Sequence, residues 1–240
     1  MHSWLLEEYG RGGLGEDTFS LVVKRSIAYE LTAFGGDERS DIRWLHNDAG
    51  GDWTQDGQVR ELAWFQIAVS ENTAYRLPIQ PAATILREIL DRVGQWRFTG
   101  MHAVIPLYLA RDARFDLAAM WPWFTFADPG SAITMTVQVS CVSAEQLRDR
   151  GGELLAAVKD RSHGQLAVQL AEPRYPDGQP SRQTGETFTR GMRPAVHFDC
   201  VAPEWSIDAV TWSLEIFVDA LRCTTTDPAV LITVNRTDGG

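Results

Sequence analysis

The chain has 240 residues, a net charge of −10 and a pI near 4.9. An acidic surface of this kind repels duplex DNA and anionic membranes, so the composition excludes binding that depends on overall positive charge. No apolar run is long enough for a membrane-spanning helix, and the N-terminal segment MHSWLLEEYGRGG carries acids where a signal peptide is basic. We therefore expect a soluble cytoplasmic protein with no membrane partner and no duplex nucleic-acid partner.

The first third of the chain predicts one helix and one hairpin. Apolar residues at helical spacing predict a helix over 17–34, with Asp17 as its cap, and a strand through 21–23 is the competing interpretation because β-branched residues are frequent there. Residues 35–58 are rich in Gly and Asp and predict a polar connection, with a short strand or turn around 42–45 as an open alternative. Loose alternation through 59–79 predicts a hairpin, whose turn lies at the sequence SENT and whose second strand covers 74–79.

Residues 81–94 form the most strongly patterned segment of the chain. Six apolar residues fall on one face of a predicted helix: Ala82, Ile85, Leu86, Ile89, Leu90 and Val93. Pro81 suits the first helical turn, and Gly94 suits a left-handed stop. The apolar run 101–110 then predicts a buried strand.

The second half of the chain predicts alternating strands and helices. The aromatic run 121–126 and the alternating segment 131–142 predict two strands joined by an Asp-Pro-Gly turn. A capping-box pattern opens a helix at 143–158, which Gly151 and Gly152 weaken. The remaining predicted elements are a strand at 165–171, a loop at 172–194, a strand at 195–201, a helix at 206–222 and a strand at 230–234.

This order of elements predicts an α+β fold. Helix-then-strand units with hairpins between them indicate a mixed, mainly antiparallel sheet with helices packed on one face. Two ferredoxin-like halves side by side, covering 1–128 and 131–240, would give the same order within a single compact domain of 240 residues. Without a residue-level repeat, this duplication is a hypothesis.

Motifs for metals and cofactors are weak. The three cysteines form no C-x-x-C pair, and we expect them to be buried and reduced, with no metal bound. The glycine run 10–15 matches G-x-G-x-x-G, but the residues before it are too polar for the strand that a dinucleotide site needs. The sequence therefore predicts no cofactor.

Two polar clusters could form a pocket for a small molecule. His46 and Asp48 lie in an acidic loop that could bind a hard cation or serve in catalysis, although a solvated loop is the commoner explanation. His197 and Asp199 are two residues apart on a predicted strand and so share one face. A pocket between the two halves would use all four residues.

The aromatic run Trp121-Pro-Trp123-Phe124-Thr-Phe126 is the strongest candidate for a binding surface. On a strand, Trp121 and Trp123 would share one face, and Pro122 favours an edge position. Tryptophan is enriched at protein interfaces, although core packing is the competing explanation. Arginines of the loop 172–194, including Arg182 and Arg190, would extend this surface.

These features favour a non-catalytic function. The sequence contains no tight cluster of nucleophile, base or ligand residues, as an enzyme usually does. The first hypothesis is a protein-interaction component, such as an adaptor, an accessory subunit or an immunity-type binder, that binds a protein partner and could form a homo-oligomer. Abundant Arg with only two lysines favours a bacterial source with a G+C-rich genome. The alternative hypothesis is a small-molecule enzyme or binder that uses the predicted pocket.

Overall fold

The computed structural model describes residues 17–32, 44–52, 54, 57–69, 76–172 and 189–237. The chain packs into two compact units, one within residues 1–97 and the other within 98–240. Every strand pair of the described residues is antiparallel, and the elements belong to the predicted α+β class. The single domain with duplicated halves stays a prediction.

The first unit combines two helices with a two-stranded sheet. Helix α1 (Thr18–Ala28) begins where the Asp17 carboxylate accepts a hydrogen bond from the backbone N–H of Ser20, at 2.7 Å. Strands β1 (Leu45–Gly50) and β2 (Trp64–Ala68) pair with each other, and α2 (Ile79–Val93) follows. The buried core of this unit contains Val22, Trp44, Ile85, Ile89 and Val93. The last three belong to the apolar stripe that predicted α2.

Two predictions for the first unit are wrong. Strand β2 pairs with β1, which lies inside the expected polar connection, and Ile79 belongs to α2 instead of a second hairpin strand. The helix begins this early because Pro81 fits a first helical turn. Gly94 ends α2 in an extended conformation, with φ 172°, and not in the left-handed conformation that was expected.

The second unit is built on a five-stranded sheet in the order β3-β7-β4-β6-β5. Its strands are β3 (Gly100–Pro106), β4 (Ile133–Cys141), β5 (Ala167–Ala171), β6 (Arg193–Ala202) and β7 (Ala229–Arg236). Its helices are α3 (Arg114–Phe124), α4 (Ala144–Asp149), α5 (Gly151–Arg161) and α6 (Ile207–Thr224), with short 3₁₀ helices at Leu107–Leu109 and Pro129–Ser131.

The connectivity from β4 to β7 is that of a split βαβ unit. The chain runs β4, α4 and α5, β5, β6, α6 and β7, and these strands lie in the order β7-β4-β6-β5. Strand β3 extends the sheet beside β7. Among the described residues of 1–128, the strands are those of the separate β1–β2 sheet and the added strand β3. The pair of ferredoxin-like halves therefore stays a prediction.

Strand alternation divides the five-stranded sheet into two chemically different faces. One face is apolar and packs on α6, where the rings of Phe198 and Phe217 lie 5.1 Å apart. Helix α6 begins at Ser206, whose hydroxyl accepts a hydrogen bond from the Ala209 N–H at 3.0 Å. The predicted helix over 143–158 is interrupted at Arg150, just before Gly151, and forms α4 and α5.

Candidate functional site

Helix α3 has a buried side and an exposed side, and both are apolar. Leu117 and Phe124 point inward and are buried, and the Phe124 ring contacts that of Trp212 on α6 at 4.7 Å between centroids. Seven residues separate Leu117 from Phe124, which is two helical turns, so they lie on the same side of α3. This contact fixes which side of α3 faces outward.

The outward side of α3 carries large aromatic side chains in solvent. Phe115 is 86% exposed, Trp123 is 66% exposed, and Phe126, just after the helix, is 85% exposed. Ala119 and Pro122, which lie between Phe115 and Phe126 in the sequence, are also exposed. The spacing of three and four residues places them on the same side of the helix. We call these five residues the α3 aromatic face.

The predicted strand over 121–126 is wrong, because residues 121–124 belong to α3. A run of consecutive aromatic residues is compatible with a strand covered on both faces and also with a helix, so the pattern did not distinguish the two. Pro122 lies in the last turn of α3 and not on an edge strand. Trp121 and Trp123 do not share a face. The half-buried Trp121 ring stacks on His163 with centroids 6.2 Å apart, whereas Trp123 projects into solvent.

Of the two arginines that were expected to extend the binding surface, one lies within the described residues. Arg190 is exposed in the turn just before β6. Arg182 lies outside the described residues, as does the glycine run 10–15. Their part in a binding surface stays a prediction.

His197 and Asp199 lie side by side on β6, on the sheet face opposite α6. Both side chains are half-buried. The next residue, Cys200, belongs to the apolar face of the sheet and is buried. Burial lowers the pKa of His197 from its usual 6.5, and the positive charge of Arg148 lowers it further. His197 is therefore neutral at pH 7 and can both donate and accept a hydrogen bond.

His46 and Asp48 lie on β1, and their side chains differ in burial and in hydrogen-bond partners. His46 Nε2 lies 2.9 Å from the hydroxyl of buried Ser26, which joins β1 to α1, and burial lowers the pKa of His46. Asp48 is exposed and accepts a hydrogen bond from the N–H of Ala49 at 2.8 Å. These two residues belong to the first unit and His197 and Asp199 to the second, so the four-residue pocket stays a prediction.

The described residues contain no group of three or more His, Cys, Asp or Glu side chains that could hold a metal ion. All three cysteines are free, but the expectation that all are buried is wrong for Cys223, which is exposed. It lies near the end of α6, between half-buried Arg222 and buried Thr224.

Sequence reasoning set His102 aside as part of an apolar strand and did not single out Thr233 or Gln138, and these three residues continue the row of His197 across the sheet. His102 of β3, Thr233 of β7 and Gln138 of β4 occupy opposing positions on neighbouring strands. The alternation of β4 indicates that Gln138 faces away from the core, but only the strand pairing reveals its neighbours. His102 is bonded to Thr233, with Nδ1 and Oγ1 2.8 Å apart.

Comparisons of the chain with protein-family models, with curated proteins and with solved structures find no match. Within the described residues, no helix combines the length and the apolar character needed to cross a membrane.

Proposed function

We propose that the chain is a non-catalytic protein-interaction component that binds its partner through the α3 aromatic face. The observation that carries this proposal is the exposure of Phe115, Trp123 and Phe126 on the side of α3 opposite its buried residues. Exposed apolar patches mark interaction sites in soluble proteins, and aromatic residues dominate the binding energy at such sites.

The spacing of the exposed residues specifies the chemistry of the partner. Phe115, Ala119, Pro122 and Phe126 repeat at intervals of four, three and four, which is the pattern of a helix that lays its apolar side into a groove. We infer a partner protein that offers a hydrophobic groove. Each aromatic side chain buries about 150–250 Å² when covered, so the three aromatic residues of the face supply about 450–750 Å² of the roughly 800 Å² that each side of a standard interface buries.

The polar edge of the interface would come from the start of α3. Asp112 and Arg114 form an exposed ion pair there, with Oδ2 and Nη2 2.7 Å apart. Exposed pairs of this kind add little affinity but help to orient a partner. A cytoplasmic location is part of the proposal, and the three free cysteines suit a reducing compartment.

The test compares two sets of substitutions in the full chain. The face variant carries Phe115→Ser, Trp123→Ser and Phe126→Ser. The matched control carries Val59→Ser, Val142→Ser and Leu170→Ser, which change exposed apolar residues elsewhere. A partner recovered with the tagged wild-type chain from its own host is identified, purified and titrated by calorimetry against all three proteins.

We expect the face variant to bind the purified partner at least tenfold more weakly, while the control binds as the wild type does. Equal binding by the face variant and the wild type would overturn the proposal. A wild-type chain that recovers no partner and is monomeric by light scattering also overturns it. A dimer that the face variant abolishes replaces the partner protein with a second copy of this chain.

A further inference from the structure

The α3 aromatic face presents the same order of large and short side chains when it is read in either direction. Phe115, Ala119, Pro122 and Phe126 follow one another at intervals of four, three and four residues, with a phenylalanine at each end and two short side chains between. A two-fold axis through the midpoint places Phe115 of one copy opposite Phe126 of another, and Ala119 opposite Pro122. Such a surface is complementary to itself, as the interface of a symmetric dimer must be.

The helical turn continues to the end of the face. The N–H of Phe126 donates to the carbonyl of Trp123 at 3.3 Å, just after the last residue of α3. At 1.5 Å per residue, Phe115 and Phe126 lie about 16 Å apart along the helix axis. Two antiparallel copies can therefore meet over roughly three helical turns, with a pair of phenylalanines at each end of the contact.

The charges at the two ends of the face favour an antiparallel pair. Residues 117–127 carry no charge, so the face itself does not repel a second copy. Arg114 precedes this uncharged stretch, Asp128 follows it, and both are exposed. An antiparallel arrangement brings Arg114 of one copy close to Asp128 of the other, twice by symmetry, whereas a parallel arrangement brings like charges together.

Both charged groups have an atom free for such a contact. Arg114 binds Asp112 of its own chain through Nε and Nη2, and Asp128 accepts the N–H of Gly130 through Oδ1 at 2.8 Å. Among the described residues, the Nη1 of Arg114 and the Oδ2 of Asp128 have no hydrogen-bond partner. A guanidinium and a carboxylate can each make further bonds from these atoms.

The area of the face is sufficient for a dimer. The three aromatic side chains bury about 450–750 Å² on each copy, so two copies together bury roughly 900–1,500 Å². A specific interface needs at least about 1,000 Å² in total, and an interface near this size supports a dimer of modest affinity.

We propose that the partner of the α3 aromatic face is a second copy of this chain, bound so that the two α3 helices run antiparallel across a two-fold axis. This inference rests on the proposed function, because it names the protein that occupies the proposed surface. Phe115 of each copy packs on Phe126 of the other. Ala119 and Pro122 form the shallow groove between them and let the two helices approach closely. A partner of unrelated sequence would not require this symmetry of the face.

The test measures self-association of the full chain by sedimentation velocity, at concentrations up to about 100 µM. The face variant and its matched control are compared with the wild type, and circular dichroism checks that each variant keeps its helix content. Arg114→Glu and Asp128→Arg each place like charges together at both ends of the interface. Mixing these two variants restores opposite charges at both ends, because the new glutamate meets the new arginine and the original arginine meets the original aspartate.

We expect dimers from the wild type and the matched control, and monomers from the face variant. Each charge variant should associate about tenfold more weakly than the wild type, and their equimolar mixture should recover wild-type association. A wild type that is monomeric at every concentration, a dimer that the face variant keeps, or a mixture that associates no better than its components would overturn the inference. If the wild type is monomeric but binds a different protein through the α3 aromatic face, the proposed function stands without the inference.

Discussion

Arg161 of α5 donates from its Nε to Oδ2 of Asp219 on α6, and the Asp219 side chain has no exposed surface. The other oxygen of Asp219 accepts hydrogen bonds from the backbone N–H of Ala113 at 3.0 Å and from Arg222 at 3.2 Å. Ala113 directly precedes α3. The buried carboxylate of Asp219 therefore connects the start of α3 and the end of α5 to α6. The position of the α3 aromatic face depends on this connection.

Substitution Asp219→Ala should lower the free energy of unfolding by about 3–5 kcal/mol, because it leaves the guanidinium of Arg161 buried without its counter-charge. Guanidinium chloride denaturation measures the change. The control is Asp160→Ala, at the exposed position next to Arg161, where we expect a change within about 0.5 kcal/mol. Similar losses in the two variants would contradict the proposed role of Asp219.

Two phenylalanines near the end of α3 should differ sharply in their contribution to stability. Phe124 is 4% exposed and packs on Trp212, so Phe124→Ala should cost about 3–5 kcal/mol. Phe126 is 85% exposed, and Phe126→Ala should cost less than about 0.5 kcal/mol. Thermal unfolding measures both. Equal costs would instead favour the strand, on which these residues share one face.

Stability should fall as the pH falls below 6.5. Burial lowers the pKa of His46 and of His197 in the folded chain, while the unfolded chain keeps the usual value of 6.5. The unfolded state therefore binds more protons below pH 6.5, and the free energy of unfolding decreases there. Denaturation at pH 7.5 and 5.5 measures the decrease.

Substitution of either histidine should reduce this pH dependence. His46→Gln acts on the first unit and His197→Gln on the second, and each removes one proton-binding difference between the folded and unfolded states. His163→Gln, at an exposed position, is the control. If both variants kept the full wild-type dependence on pH, other groups would be responsible.

One cysteine should react much faster than the other two. Burial raises the pKa of Cys141 to about 12, helped by Asp227, and burial also raises that of Cys200, so neither forms a thiolate at neutral pH. Cys223 is exposed. Titration with a disulfide reagent should modify one thiol of the folded chain rapidly and all three after denaturation. Cys223→Ser should remove the fast phase.

The sequence alone determined the elements whose pattern is local. The apolar stripe of α2 and the strict alternation of β4 were predicted within a few residues of their observed bounds. A helix repeats every 3.6 residues and a strand every two, so neighbouring residues contain the information. The same holds for the pair His197 and Asp199, whose shared face follows from their spacing on one strand.

Only the tertiary structure decided the fate of the aromatic run and the composition of the polar row that contains His197. Residues 121–124 form a helix because Phe124 packs on Trp212 of α6, which lies about ninety residues away in the sequence. The polar row joins His102 to Thr233 across 131 residues. Strand order and register depend on pairing between distant segments, which no local pattern specifies.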